Sequence, residues 1–137
     1  MKNSIIISVP SHPKYLCMVR DVTVRMGELN GIDGSAIDYI KLAVDEACSN
    51  VIKHAYKRDT DKKIVIKYTI TDRAFEIIIE DSGIKAKHRS LKGRDLDDVR
   101  PGGLGIHLIK RAFDVFEFDE KKKKGNRLKL IKYLKEK

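Results

Sequence analysis

The chain has 137 residues, 42% apolar and 36% charged, with a formal net charge of +9. These figures suit one charged globular domain spanning residues 1–137, with room for a single core, and they exclude a disordered chain. No apolar run approaches the roughly 18 residues of a membrane span, and the N-terminus lacks the apolar centre of a signal peptide, so a cytoplasmic protein without a membrane partner is expected.

In chain order, residues 3–9 (NSIIISV) read as a short strand, broken by Pro10 and Pro13, with Ser11 placed to cap the next helix. Leu16, Val19, Val22, Val24 and Met26 give residues 14–30 a loose helical pattern that ends near Gly31. Ser35 then caps a second helix over 36–56. Its Ile37, Ile40, Val44, Ala47, Val51 and Ala55 recur at three- and four-residue steps and define one buried face. Cys17 and Cys48 form no CxxC or Cys/His cluster, which argues against structural zinc, and both read as small core residues.

Residues 58–61 read as a turn. Ile64, Ile66, Tyr68 and Ile70 alternate along a strand, and Phe75, Ile77 and Ile79 continue the alternation after a tight connection at 71–73. Residues 84–101 form a long polar segment of the length functional lids have. A short helix is predicted over 105–113, then strands over 114–119 and 127–134 around a turn at Lys121 to Asn126. Residues 119–137 hold nine Lys/Arg against three Asp/Glu, so the basic excess is mainly a tail feature. It reads as a solvated hairpin tip, without the aromatic or reading-helix signature of a nucleic-acid binder.

The order β-α-α-β-β-loop-α-β-β keeps strands in adjacent pairs. It predicts an α+β fold: a two-layer α/β sandwich with a mixed, mostly antiparallel sheet and helices on one face.

Three motifs carry chemistry. Glu46 and Asn50, four apart, share a face of the second helix, where a carboxylate and an amide suit proton acceptance and a hydrated Mg2+. An exposed helix face carries such pairs too. Asp81-Ser82-Gly83 ends a strand, so the carboxylate can accept from a base's amino group while glycine permits close approach. An ordinary turn has the same composition. Pro101-Gly102-Gly103-Leu104-Gly105-Ile106 runs into an apolar helix, a backbone suited to phosphate, though its spacing is neither that of a Walker loop nor of a Rossmann loop.

Taken together, in this order and on these elements, the motifs resemble the Bergerat-type ATP-binding fold shared by histidine kinases, type II topoisomerases and MutL. Within that superfamily the chain, from about residue 5 to 134, resembles the anti-sigma factor serine kinases of bacterial partner-switching systems. LAVDEACSNVIKHAY, GGLGIHLIKRAFDVFEF and GNRLKLIKYL are the closest stretches.

The resemblance implies a kinase that binds ATP with Mg2+. It would phosphorylate a serine on an anti-sigma factor antagonist, and alternatively sequester a sigma factor. It implies a homodimer and no direct nucleic-acid partner. By the same resemblance Glu46 is the general base, Asn50 the Mg2+ ligand and Asp81 the adenine contact, with Gly83 shaping that pocket. Gly102, Gly103, Leu104, Gly105 and Ile106 close over the phosphates. Residues 84–101 are the ATP lid, and Arg100 contacts the γ-phosphate. One departure is Lys85, where relatives often carry a second glycine or proline. The alternatives are a switch kinase without a sigma factor, a module that binds protein without ATP, and a basic nucleic-acid binder.

Overall fold

The computed structural model describes residues 2–85, 101–119 and 121–134, with the backbone alone described over 101–106. Strand β1 (Asn3–Pro10) leads through a short 3-10 turn (Pro13–Tyr15) into helix α1 (Leu16–Leu29). Helix α2 (Gly34–Asn50) runs on into a π-helical turn (Val51–Ala55). Strands β2 (Lys63–Ile70) and β3 (Ala74–Asp81) come next, then helix α3 (Pro101–Ala112), β4 (Val115–Phe118) and β5 (Asn126–Tyr133).

The five strands form one sheet in the order β1-β2-β3-β5-β4. Every pairing is antiparallel, so the expected sandwich is found, without the parallel pair that a mixed sheet allows. Ile64, Ile66, Tyr68, Phe75, Ile77, Ile79, Leu128 and Leu130 all lie buried on the helix-facing side. The stripe read from α2 is buried at every position, from Ile37 to Ala55. Helix α2 is central and packs against both α1 and α3.

Helix α1 closes over the sheet through a polar contact inside the core. The hydroxyls of Thr23 and Tyr68 are 2.7 Å apart, and Thr23 also donates to the Val19 carbonyl at 2.7 Å. A buried phenol needs such a partner. Thr23 thus takes the inward position for which the sequence pattern offered Val22 and Val24, both only half-buried.

Several local readings are corrected. Ser11 does not cap the first turn; His12 does, its ring nitrogen accepting from the Lys14 amide. Ser11 is fully buried, donating to the Asp59 carbonyl and accepting from the Lys62 amide, which ties the end of β1 to the turn before β2. Asp33, not Ser35, caps α2, because its carboxylate accepts from the Ser35 amide two residues on. Cys17 is exposed rather than part of the core, whereas Cys48 is buried as expected.

The cysteines give two measurable consequences. Burial, with the Asp45 carboxylate adding to it, pushes the Cys48 thiol up to about 12. An unfolded thiol ionises near 8.5. The native state therefore keeps a proton that the unfolded chain loses; this stabilisation is complete below about pH 8.5 and declines as pH rises towards 12. The denaturant midpoint is expected to fall above about pH 9, and less steeply in Cys48→Ala. With a thiol reagent under native conditions, Cys17 should react at once and Cys48 only on unfolding. Two equally fast thiols would contradict this packing.

Candidate functional site

Glu46 and Asn50 lie in the last turns of α2, both half-buried, one turn apart and beside the core stripe. Asp45 is bound by Arg20 of α1 at 2.6 Å, which pins the two helices together next to Glu46. Immediately after Asn50 the helix widens. The Tyr56 amide donates to the Val51 carbonyl, five residues back, at 2.9 Å. Such π turns insert a residue into the helical path and recur at functional sites. The sequence pattern predicts a single helix over 36–56, because a π turn leaves the apolar spacing nearly intact.

The widened turn brings the Ala55 carbonyl to the segment after β3, where it accepts from the Ile84 amide at 2.8 Å. Gly83 lies against the same carbonyl. A Cβ at position 83 would sit 2.2 Å from the Ala55 oxygen, so no side chain fits there. Tyr56 completes the junction: its hydroxyl donates to the Lys63 carbonyl at 2.5 Å and accepts from the Ser82 amide at 2.9 Å.

Asp81 ends β3 and is buried, with 6% of its surface exposed. A buried carboxylate must be met by donors. Its Oδ1 accepts from the Gly83 amide at 2.8 Å and from Nδ2 of Asn126 at 2.9 Å. The same Asn126 nitrogen reaches Oδ2 at 3.2 Å and the Ile84 carbonyl at 2.8 Å. Asn126 opens β5 directly opposite Asp81 and is itself buried. It is the one member of this cluster that sequence reasoning missed, having placed it in a turn. The signal would have been the strand register, since Asn126 pairs with Asp81 only once β3 and β5 are aligned. Gly125 before it takes a positive φ of 75°, and a Cβ there would lie 2.0 Å from the Asp81 carbonyl oxygen.

The elements that carry the first two motifs are therefore joined, by the contact between Ala55 and Ile84. The third approaches along α3. Near the end of that helix the Arg111 guanidinium stacks 4.8 Å from the ring centre of Tyr39, in the first half of α2. The opening turns of α3 thus lie towards the Glu46 and Asn50 end of α2. Residues Gly102, Gly103, Leu104, Gly105 and Ile106 are inside α3, which starts at Pro101 rather than at 105. Proline suits that first position, where no amide hydrogen bond is lost. Arg100 and residues 86–100 of the expected lid lie outside the described residues.

The lysine turn neighbours this end of the sheet. Lys122 and Arg127 both reach Glu80, at 3.5 and 3.4 Å, and Arg127 reaches Asp119 at 3.8 Å. These are surface pairs of small energetic value. Among the described residues, no group of three or more His, Cys, Asp or Glu is placed to hold a metal, and no helix is long and apolar enough to cross a membrane. The oxygen donors on α2 are few and hard, which suits magnesium, an ion that keeps most of its waters.

Residues 9–132 match the family described as the histidine kinase-like ATPase domain. Among curated proteins, the chain is similar to the serine-protein kinase RsbW of Listeria monocytogenes serotype 4a (strain HCC23). Identity is 30% over 147 aligned residues, covering 100% of this chain and 91% of the relative. It is also similar to the serine-protein kinase RsbW of Bacillus subtilis (strain 168), at 29% identity over 98% of this chain and 89% of that protein. The protein of the same name from Bacillus licheniformis is 29% identical over 77% of this chain and 71% of its own length. A strand-end carboxylate buried among glycines, a Glu/Asn helix face and a match across nearly the whole length lead to one conclusion: the chain belongs to the histidine kinase-like ATPase domain family, on its serine-protein kinase branch.

Proposed function

We propose that this ATP-using kinase transfers the γ-phosphoryl group of ATP, with Mg2+, to a serine of an anti-sigma factor antagonist, and that in its other state it sequesters a sigma factor. The observation that carries the nucleotide reading is Asp81, a carboxylate buried and oriented by Gly83 and Asn126. An ionised carboxylate only accepts hydrogen bonds. It suits the amino group of adenine and repels the oxygen that guanine has at the equivalent place. Gly83, pressed on Ala55 where no side chain fits, shapes this pocket by fixing the turn whose amide holds Asp81.

Glu46 takes the proton from the serine hydroxyl as its oxygen attacks the γ-phosphorus. The bond from that phosphorus to the bridging oxygen breaks, and ADP leaves. Asn50 supplies the amide oxygen for Mg2+, and Gly102 to Ile106 supply backbone for the phosphates. When bound, Mg2+ offsets phosphate charge. Residues 84–101 serve as the lid, with Arg100 on the γ-phosphate. That the relatives are serine-protein kinases supports serine as the acceptor. The single-domain reading of residues 1–137, a homodimer and a cytoplasmic setting go with this proposal.

The direct test incubates the chain with labelled Mg-ATP and a serine-bearing antagonist, then with the antagonist's Ser→Ala form. Label on the first alone is expected; label on neither, with nucleotide bound, would leave binding without transfer. Mg-ADP at about 100 times its dissociation constant should stabilise the fold by about 2.7 kcal/mol, several degrees in Tm, and GDP should not. Asn50→Ala should remove the magnesium dependence of that shift. Glu46→Gln should keep the shift and slow transfer by at least about a hundredfold.

Two variants examine the base pocket. Gly83→Ala should destabilise by about 1–3 kcal/mol through overpacking against Ala55 and abolish the nucleotide shift. Asn126→Ala should weaken ADP at least about tenfold and destabilise by about 1–3 kcal/mol, because a buried carboxylate loses a donor. Unchanged ADP affinity in either would remove Asp81 from the adenine pocket.

A further inference from the structure

A cavity of about 210 Å3 lies between the start of α2, the end of α3 and the end of β5. Ser35, Ala36, Tyr39, Arg111, Ala112 and Lys132 line it. It is remote from the candidate nucleotide site. Lys132 is six residues along β5 from Asn126, about 20 Å at strand spacing. Ser35 is eleven residues along α2 from Glu46, about 16 Å at helical spacing.

Lys132 breaks the pattern of its own strand. The inward positions of β5 are Leu128, Leu130 and then Lys132, and Lys132 pairs with the fully buried Phe75. The alternation calls for a third apolar residue; instead a half-buried lysine stands on the helix-facing side of the sheet. Arg111 approaches from α3 and is held over the Tyr39 ring, which orients its guanidinium. Among the described residues neither cation has a carboxylate within salt-bridge distance. The neighbouring acids are engaged elsewhere: Asp33 caps the Ser35 amide and binds its hydroxyl, and Asp114 accepts from the Tyr133 amide.

We propose that this notch binds a small phosphate-class oxyanion, held by Arg111 and Lys132 against the wall of Tyr39. Two cations with no acid between them favour a doubly charged ligand over a single carboxylate. An arginine fork presents paired donors to a tetrahedral oxyanion, and lysine adds a point charge. The start of α2 is not the binding element, because Asp33 already takes the Ser35 amide. The volume admits phosphate or the head of a small phosphate monoester. The site is independent of the kinase reading.

The test is NMR of the full chain at constant ionic strength, following the Arg111 Nε–Hε signal and the Tyr39 ring. The candidate nucleotide site is first filled with saturating Mg-ADP. Inorganic phosphate should shift both signals saturably at millimolar concentration, and Lys132→Met should weaken the response about tenfold. Lys132→Gln serves the same end if the methionine variant melts early. Glycerol phosphate binding tighter than inorganic phosphate identifies a monoester as the source; the reverse identifies the free ion. Equal shifts with chloride would overturn the proposal, as would equal shifts with acetate, which would mark the notch as a contact for acidic side chains. An unaltered response in both Lys132 variants would overturn it too.

Discussion

The candidate site rests on two places where backbone meets backbone with no space for a side chain. Gly83 touches the carbonyl of Ala55, and Gly125 touches the carbonyl of Asp81. The first contact joins the end of the α2 path to the end of β3. The second joins the end of β3 to the start of β5. Glu46, Asn50, Asp81 and Asn126 come from three separate elements, and these contacts bring those elements into register. Any methyl group at either position separates layers whose polar groups depend on hydrogen-bond distances of 3 Å or less.

Burying Asp81 is unfavourable in isolation, since a carboxylate loses its hydration. The fold meets this with an amide from its own turn and with the Asn126 side chain, whose nitrogen also binds Ile84. Tyr56 provides a second tie between the same segments through Ser82 and Lys63. A carboxylate oriented from two sides requires little reorganisation when a ligand arrives. The same logic appears in the core, where Thr23 meets Tyr68. Burial raises the pKa of that phenol, the Thr23 bond opposing in part, so the hydroxyl stays protonated and remains a dependable link between α1 and the sheet.

What could be read from residues alone was whatever has a period. The apolar stripe of α2 and the alternation of β2 and β3 are buried at every position named from the sequence. Placing Glu46, Asn50, Asp81 and Gly83 on their elements came from those periods. Features without a period stayed hidden. Asp33 rather than Ser35 caps α2, and both are cap-forming types two residues apart. Cys17 is small and apolar enough to pass for core, yet points outward. The glycines after Pro101 suggested loop, because their helix propensity is low, but packing of α3 along α2 outweighs that preference. Asn126 could be found only through tertiary register. Lys132 stands where the alternation of β5 would place an apolar residue, and Thr23 where the pattern of α1 offered Val22 and Val24, so the period misleads at both places.

The π turn at Val51–Ala55 has a consequence for how such a chain can vary in length. A π turn is one residue more than an α-helix needs for the same rise. Losing one residue there would restore an ordinary helix and leave Glu46 and Asn50 where they are. The path after it would keep its direction, since the π turn absorbs the extra residue, but the five-residue bond from the Tyr56 amide to the Val51 carbonyl would give way to an ordinary four-residue one. The local widening that presents the Ala55 carbonyl to Ile84 and the Tyr56 hydroxyl to Ser82 would be lost. Substitutions in this stretch are thus tested one side chain at a time, but an insertion or deletion is tested against the whole junction at once.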